Sequence, residues 1–358
     1  NGLDLELGTF TNGLTSNSDQ GYDSYYLGSA YLRMVKEGKV PMSVVDDKAS
    51  RVLRLIFRTA MNADGQFGAM SNDSHYETAY QVATEGVVLL KNQSVFKGES
   101  LLPLKQGKYK HILVVGDNAV RNLMAGGGSS ELKPKMVITP LEALVKELGS
   151  DCVTFSQGYM AGRPMFDRAD VIPQSVADSL YNAAIEEARK ADLVIFMGGL
   201  NKNYQQDCEG EDRRAYELPY GQDRLIEGLL KANKKLVVVL TSGNAVAMPW
   251  LKEVPSLVQS WYLGSIGGKA LADVLLGEVT PSGKLPFSYP AKLEDCPAHY
   301  YGEISYPGDS IRQEYKEDIL VGYRWYDTKH IQPLFPFGYG LSYTQFEYGK
   351  PVISAREM

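Results

Sequence analysis

The 358-residue chain has little cysteine, histidine or tryptophan and no long apolar run. Its three cysteines, Cys152, Cys208 and Cys296, are odd in number and far apart, which matches neither a disulfide framework nor a metal-site spacing. None of its four histidines (His75, His111, His299, His330) pairs at the i, i+4 spacing of a zinc helix, so no metal is expected. A G-x-S-x-G elbow for a serine nucleophile is also missing. No apolar stretch approaches the ~20 residues that cross a bilayer, so no membrane partner is expected. A basic block is absent too: Lys and Arg number 37 against 43 Asp and Glu, and a net charge of −6 argues against nucleic acid. The chain lacks an initiator Met and a basic-then-apolar leader. It opens instead on Asn1-Gly2-Leu3-Asp4-Leu5-Glu6-Leu7, which alternates like the middle of a strand and reads as the interior of a longer protein.

What is present is ordinary globular material, 44% hydrophobic and 22% charged, enough for one large domain or two ordinary ones. After a polar stretch from Gly8 to Gly21, helical spacing is predicted from Tyr25 to Glu37. A second helix follows Ser43, read as its N-cap, with Val44, Val45, Ala49, Val52, Leu53 and Ile56 on one stripe. Met61 to Ser74 is rich in Gly, Asn, Asp and Ser and reads as a linker. A helix over His75–Thr84 then leads into the strand-like Gly86 to Asn92. Beyond it, unbroken apolar runs at Ile112–Val115, Leu193–Met197, Leu236–Leu240 and, more weakly, Ser256–Trp261 alternate with helical patterns. Those helices are predicted at Pro140–Leu148, Val176–Lys190, Gln222–Ala232 and Gly267–Leu276. Strands without alternation are covered on both faces, so the prediction is an α/β fold, a mainly parallel sheet sandwiched by helices. From Gly277 onward Pro, Gly and Tyr dominate, and Phe335 to Tyr343 reads as an irregular aromatic strap packed on the domain.

Few residues invite chemistry. Gly126-Gly127-Gly128-Ser129-Ser130 follows a strand, but its spacing fits neither G-x-G-x-x-G nor a P-loop, so a nucleotide-binding domain is disfavoured. Trp250, Trp261 and Trp325 read as packing residues, and His299 as a structural or solvent-exposed loop residue. The remaining candidate is the loop after the strand at Leu193–Met197, with Asp207, Glu209, Glu211 and Asp212 beside Arg213 and Arg214. It lies past the carboxyl end of a parallel strand, where open sheets bind ligands. A carboxyl kept partly protonated by burial or by a neighbouring charge suits general acid/base work. Composition leaves open which of the four it is.

Taken in order, these segments resemble the family 3 glycoside hydrolases. The resemblance rests on Val88-Leu89-Leu90-Lys91-Asn92, Val114-Val115-Gly116-Asp117-Asn118-Ala119, Gly126 to Ser130 and Glu209-Gly210-Glu211-Asp212-Arg213. Ser242-Gly243-Asn244, Gly267 to Leu275, Thr280 to Pro286 and Phe335 to Tyr343 complete it. It implies the last β/α unit of a (β/α)8 barrel over residues 1–60 and a linker over 61–74. An α/β sandwich domain over 75–290, a Tyr/Pro/Gly-rich strap over 291–348 and the start of a further module over 349–358 follow. The implied activity is that of a retaining, exo-acting β-glycosidase, foremost a β-glucosidase, working without a cofactor. Glu209 then matches the acid/base, Asp212 and Arg213 support the loop by a salt bridge, and Ser129 and Ser130 are candidate sugar contacts. The nucleophilic Asp of the family lies in an upstream motif that this chain does not contain, so the chain alone is expected to be inactive. The implied partners are a carbohydrate substrate and the barrel domain of the same protein, with a homo-oligomer compatible and a periplasmic or secreted location expected. The alternative is a catalytically silent carbohydrate-binding or scaffold module.

Overall fold

The computed structural model describes all residues except 1, 7–24, 62–67, 97, 123, 125–131, 164–167, 169, 210–212 and 355–358. The chain divides into two compact units, Asn1–Met70 and Ser71–Met358.

The first unit holds α1 (Ser29–Lys36) and α2 (Met42–Arg58). Pro41, not Ser43, occupies the N-cap of α2, two residues earlier than the hydroxyl suggested. The expected opening strand is not observed: Gly2–Glu6 has no ladder partner among the described residues. A strand is stable only when neighbours satisfy its backbone. Here side chains tie it down instead. The Glu6 carboxylate accepts from the backbone N–H groups of Tyr26 (3.1 Å) and Leu27 (2.7 Å). The predicted apolar stripe of α2 exists, but Val44, Leu53 and Ile56 are exposed, with no described residue of the unit burying them.

The second unit begins with α3 (Asp73–Gly86), which takes the last two residues assigned to the linker. Its N-cap Asn72 accepts from His75 N–H at 3.0 Å, which explains the early start. There follow β1 (Val88–Asn92), β2 (Ser94–Phe96), β3 (Glu99–Ser100), β4 (Ile112–Val115), α4 (Pro140–Leu148) and β5 (Val153–Ser156). Then come α5 (Gln174–Lys190), β6 (Leu193–Gly199), α6 (Gln222–Ala232), β7 (Leu236–Thr241), β8 (Ser256–Gln259), α7 (Gly267–Leu276), α8 (Pro297–Tyr300) and α9 (Tyr323–Lys329). Thr139 and Glu142 form a capping box at α4, so the prediction for that helix coincides with its observed bounds.

Six strands form one sheet in the order β1-β8-β7-β6-β4-β5. All pairs are parallel except β1 with β8, which is antiparallel. β5 escaped the sequence reading because it is an edge strand: it pairs only with β4, and Val-Thr-Phe-Ser carries no apolar run. The unbroken apolar strands divide their residues between two cores. Leu113, Val115, Val194, Phe196, Val238 and Leu240 face α5 and α6, while Ile112, Val114, Ile195, Met197, Val237 and Val239 face α4 and α7. Each such side chain contributes about 1.5–3 kcal/mol by leaving water, so a polar residue on either face would be costly. The aromatic strap closes the β1 side of the sheet. Leu341 N–H donates to Leu89 O (2.8 Å) and Tyr289 N–H to Phe335 O (2.8 Å).

Candidate functional site

With the chain order β4, β5, β6, the strand after β4 lies on one side of it and the next strand returns to the other, so the sheet reverses between β4 and β6. Crevices outside the carboxyl ends of strands at such a reversal are where open α/β sheets bind ligands. Two glycines make the approach there possible. A Cβ on Gly116, at φ +126°, would lie 1.9 Å from Met197 O, and one on Gly199, at φ +114°, would lie 2.1 Å from Thr241 O. Asn118 Nδ2 donates to Leu200 O at 3.0 Å, joining the β4 exit to the β6 exit.

The loop from Leu200 to Pro219 leaves β6 and carries Glu209, which is exposed. Its first half is tied internally: Asn203 N–H donates to Asn201 Oδ1 (2.8 Å) and Asp207 N–H to Asn201 O (2.9 Å). The Asp207 carboxylate then reaches across to two other strand exits. Its Oδ2 accepts from Gly243 N–H (2.6 Å) and from Tyr262 O–H (2.9 Å), and its Oδ1 accepts from Asn244 Nδ2 (3.3 Å). On the far side of Glu209, Arg213 Nη2 donates to Ala245 O at 2.7 Å. Both stems of the loop are therefore fastened to the segment that follows β7. Burial pulls the Arg213 guanidinium below its ordinary pKa, opposed by the Asp207 charge. Burial also pushes the Tyr262 hydroxyl well up, and the adjacent Asp207 charge adds to that. Tyr262 is thus a neutral donor over the whole working range.

The backbone here is held in conformations that side chains disfavour. Gln205 (φ 59°), Tyr220 (φ 61°) and Trp261 (φ 60°) are left-handed without being glycine. Such residues cost about 1–3 kcal/mol each and persist where surrounding contacts over-determine them. At Trp261 the contacts are visible: its indole N–H donates to Gly86 O (2.9 Å), and its ring meets Phe287 edge-on at 5.8 Å.

Of the residues predicted from sequence, Glu209 and Arg213 lie on one loop at the strand ends. Ser129, Ser130 and Asp212, with Glu211, lie outside the described residues. The salt bridge expected between Asp212 and Arg213 falls there as well. Trp250 and Trp325 are buried packing residues. Trp250 donates to Asp223 Oδ1 (2.7 Å), and Trp325 packs edge-on against Tyr300 and Tyr301. His299 stacks edge-on with Tyr306 at 5.1 Å. Sequence reasoning missed the roles of Asp207 and Tyr262. Asp207 was one of four equal carboxylates, and nothing local marks a tyrosine 55 residues downstream as its partner.

Among the described residues no group of three His, Cys, Asp or Glu could hold a metal ion, and no helix is long and apolar enough to cross a membrane. A cleft beside the strand ends, lined by Asn118, Arg121, Thr241, Ser260 and Trp261, encloses about 40 Å³. That is room for a few waters at most and not for a sugar ring.

Comparison with known proteins gives this geometry a setting. The family model described as "Glycosyl hydrolase family 3 C-terminal domain" matches residues 87–343. A beta-glucosidase of Bacteroides ovatus is 71% identical over 357 residues, covering 100% of this chain and 48% of its own length. Thermostable beta-glucosidase B of Acetivibrio thermocellus is 36% identical, again over 100% of this chain and 42% of its own. The crystal structure of DesR, a beta-glucosidase from Streptomyces venezuelae in complex with D-glucose, superposes with a TM-score of 0.77 at 27% identity. It is matched over 89% of this chain and 52% of that one. The chain spans about half the length of the curated relatives it matches.

Proposed function

The chain belongs to glycosyl hydrolase family 3, and from that premise we propose that the protein it is part of is a β-glucosidase releasing terminal β-linked glucose, with Glu209 as its general acid/base. The observation that carries the proposal is the placement of Glu209. It stands exposed beyond the carboxyl ends of parallel strands, on a loop fastened at both stems to the β7 exit.

In the proposed retaining cycle, a carboxylate from outside this chain attacks the anomeric carbon and the glycosidic C–O bond breaks. Glu209 gives its proton to the departing oxygen. The ionised Glu209 then takes a proton from water as that water attacks the glycosyl ester, freeing the sugar and restoring the nucleophile. Retaining enzymes hold the two carboxyl groups roughly 5–5.5 Å apart, so the nucleophile has to meet Glu209 across a cleft. Ser129 and Ser130 remain proposed sugar contacts.

The test is Glu209→Ala in the whole protein. Loss of a general acid should lower kcat/KM for cellobiose by roughly 10²–10⁴-fold, while a dinitrophenyl β-glucoside, whose leaving group needs no proton, loses roughly tenfold or less. Azide should restore turnover of the aryl substrate and give β-glucosyl azide. Equal losses on both substrates, with no azide product, would assign the proton to another group.

A further inference from the structure

The Asp207 carboxylate spends both of its oxygens on the scaffold. Three donors converge on it: the Gly243 N–H and the Asn244 side chain, both just after β7, and the Tyr262 hydroxyl just after β8. Its own N–H donates to Asn201 O, just after β6. One residue therefore joins the exits of three adjacent parallel strands. It sits two positions before Glu209, and the stem on the other side is held to the same β7 exit by Arg213 through Ala245 O. The partners are themselves fixed. Ser242 O–H donates to Asn244 O (2.8 Å), Gln259 Nε2 donates to Ser242 O (3.0 Å), and Tyr289 O–H donates to Gln259 Oε1 (3.1 Å) in the buried core. Next to Tyr262, the left-handed Trp261 is locked by its indole hydrogen bond to Gly86 O.

Such an arrangement exceeds what a surface loop needs to stay folded. Strained backbone at the anchor, donors from two separate strand exits and a doubly fastened stem all restrict where the residue between the stems can go. General acid catalysis depends on that restriction, because a misplacement of about 1 Å can cost roughly a hundredfold in rate.

We infer that Asp207 is a positioning residue for proton transfer. By binding Gly243, Asn244 and Tyr262 it sets the place of Glu209 relative to the glycosidic oxygen, without touching the substrate itself. The inference rests on the acid/base reading of Glu209. It assigns Tyr262 and Asn244 the same function at one remove.

The experiment compares Asp207→Asn, Tyr262→Phe and Glu209→Ala in the whole protein, using kcat/KM for cellobiose and for a dinitrophenyl β-glucoside. Asp207→Asn keeps the shape but removes the charge and replaces one accepting oxygen with an NH2, so at least one of the three hydrogen bonds is lost and the rest are weakened. It should lower kcat/KM for cellobiose by roughly tenfold to a hundredfold and leave the aryl glucoside within about threefold, a pattern that a general loss of folded enzyme cannot produce. Tyr262→Phe removes one of the three donors and should give the same pattern at a smaller size. It decides the question should Asp207→Asn fail to fold. If Glu209→Ala shows the leaving-group dependence and neither positioning variant does, the inference about Asp207 is wrong and the acid/base assignment stands. If Glu209→Ala itself lacks that dependence, the assignment of Glu209 fails first. Equal losses on both substrates in Asp207→Asn and Tyr262→Phe would make the anchor merely structural and overturn the inference.

Discussion

Asp223 offers a direct measure of how the Glu209 loop is held at its far end. It sits in the first turn of α6, where a carboxylate is favoured by the helix dipole. Its Oδ1 accepts from the Trp250 indole N–H (2.7 Å) and its Oδ2 from Leu218 N–H (3.3 Å), and Leu218 is where the Glu209 loop ends. Trp250 is 2% exposed and Leu218 6%, so neither donor can turn to bulk water when Asp223 is removed. A hydrogen bond to a charged group contributes about 1.5–3 kcal/mol, and an orphaned buried donor costs about 1–3 kcal/mol. Asp223→Ala should therefore destabilise by about 2–3 kcal/mol, a fall of roughly 3–5 °C in Tm at this domain size. Asp223→Asn keeps an acceptor for Trp250 but turns its NH2 toward the Leu218 N–H, so it should lose about 1–2 kcal/mol, less than the Ala variant.

The pH dependence carries a definite sign. Burial raises the Asp223 pKa above the ordinary carboxylate value, against the pull of its hydrogen bonds. The folded state then binds a proton at higher pH than the unfolded state. This residue's contribution therefore favours folding more as pH falls from its raised folded pKa toward the unfolded value. It weakens as pH rises through the folded pKa. Thermal melts of wild type and Asp223→Asn between pH 3.5 and 7, at roughly half-unit steps, read the difference directly. The Tm of wild type relative to the Asn variant should rise on going down through that window. Equal losses in the Ala and Asn variants, or a difference that moves the other way with pH, would refute the reasoning.

Three further outcomes are expected. Gly116→Ala should destabilise the second unit by at least about 2 kcal/mol in urea, since the new Cβ meets Met197 O and the left-handed backbone is disfavoured; an unchanged midpoint would mean β4 and β6 can separate at no cost. Backbone N–H groups of Lys110 and His111 hold the Asp192 carboxyl below its ordinary pKa, so its stabilising contribution is present above the unfolded pKa and is lost as pH falls through the folded one. Asp192→Asn should accordingly flatten the acid limb of the stability profile, measured by urea midpoints from about pH 5 to pH 2. Finally, the 358-residue chain assayed by itself on an aryl β-glucoside should show no turnover, because the proposed nucleophile is not among its residues; steady hydrolysis by the purified chain would place the nucleophile within it.

Much of the scaffold was legible locally. Ile112–Val115 and Leu236–Leu240 announce buried parallel strands because an unbroken apolar run fits only where helices cover both faces. Pro140 to Leu148 announces its own start through the Thr139–Glu142 box. The failures share a cause. Val153–Ser156 is a strand only because β4 offers it an edge, and Gly2–Glu6 alternates like a strand without a ladder partner among the described residues. Both depend on neighbours and not on the segment.

The acidic loop divides along the same line. Sequence alone determined that a cluster of carboxylates follows a buried strand and, through the order of surrounding motifs, that Glu209 is the member to single out. It could not rank Asp207, because a carboxylate's role depends on which donors surround it. Those donors, Gly243, Asn244 and Tyr262, lie 36 to 55 residues further along the chain. Only the parallel sheet, by bringing the exits of β6, β7 and β8 side by side, put them against it. Hydrogen bonds act over about 3 Å in space whatever the separation in sequence, so only the tertiary structure could set Asp207 apart as the anchored carboxylate.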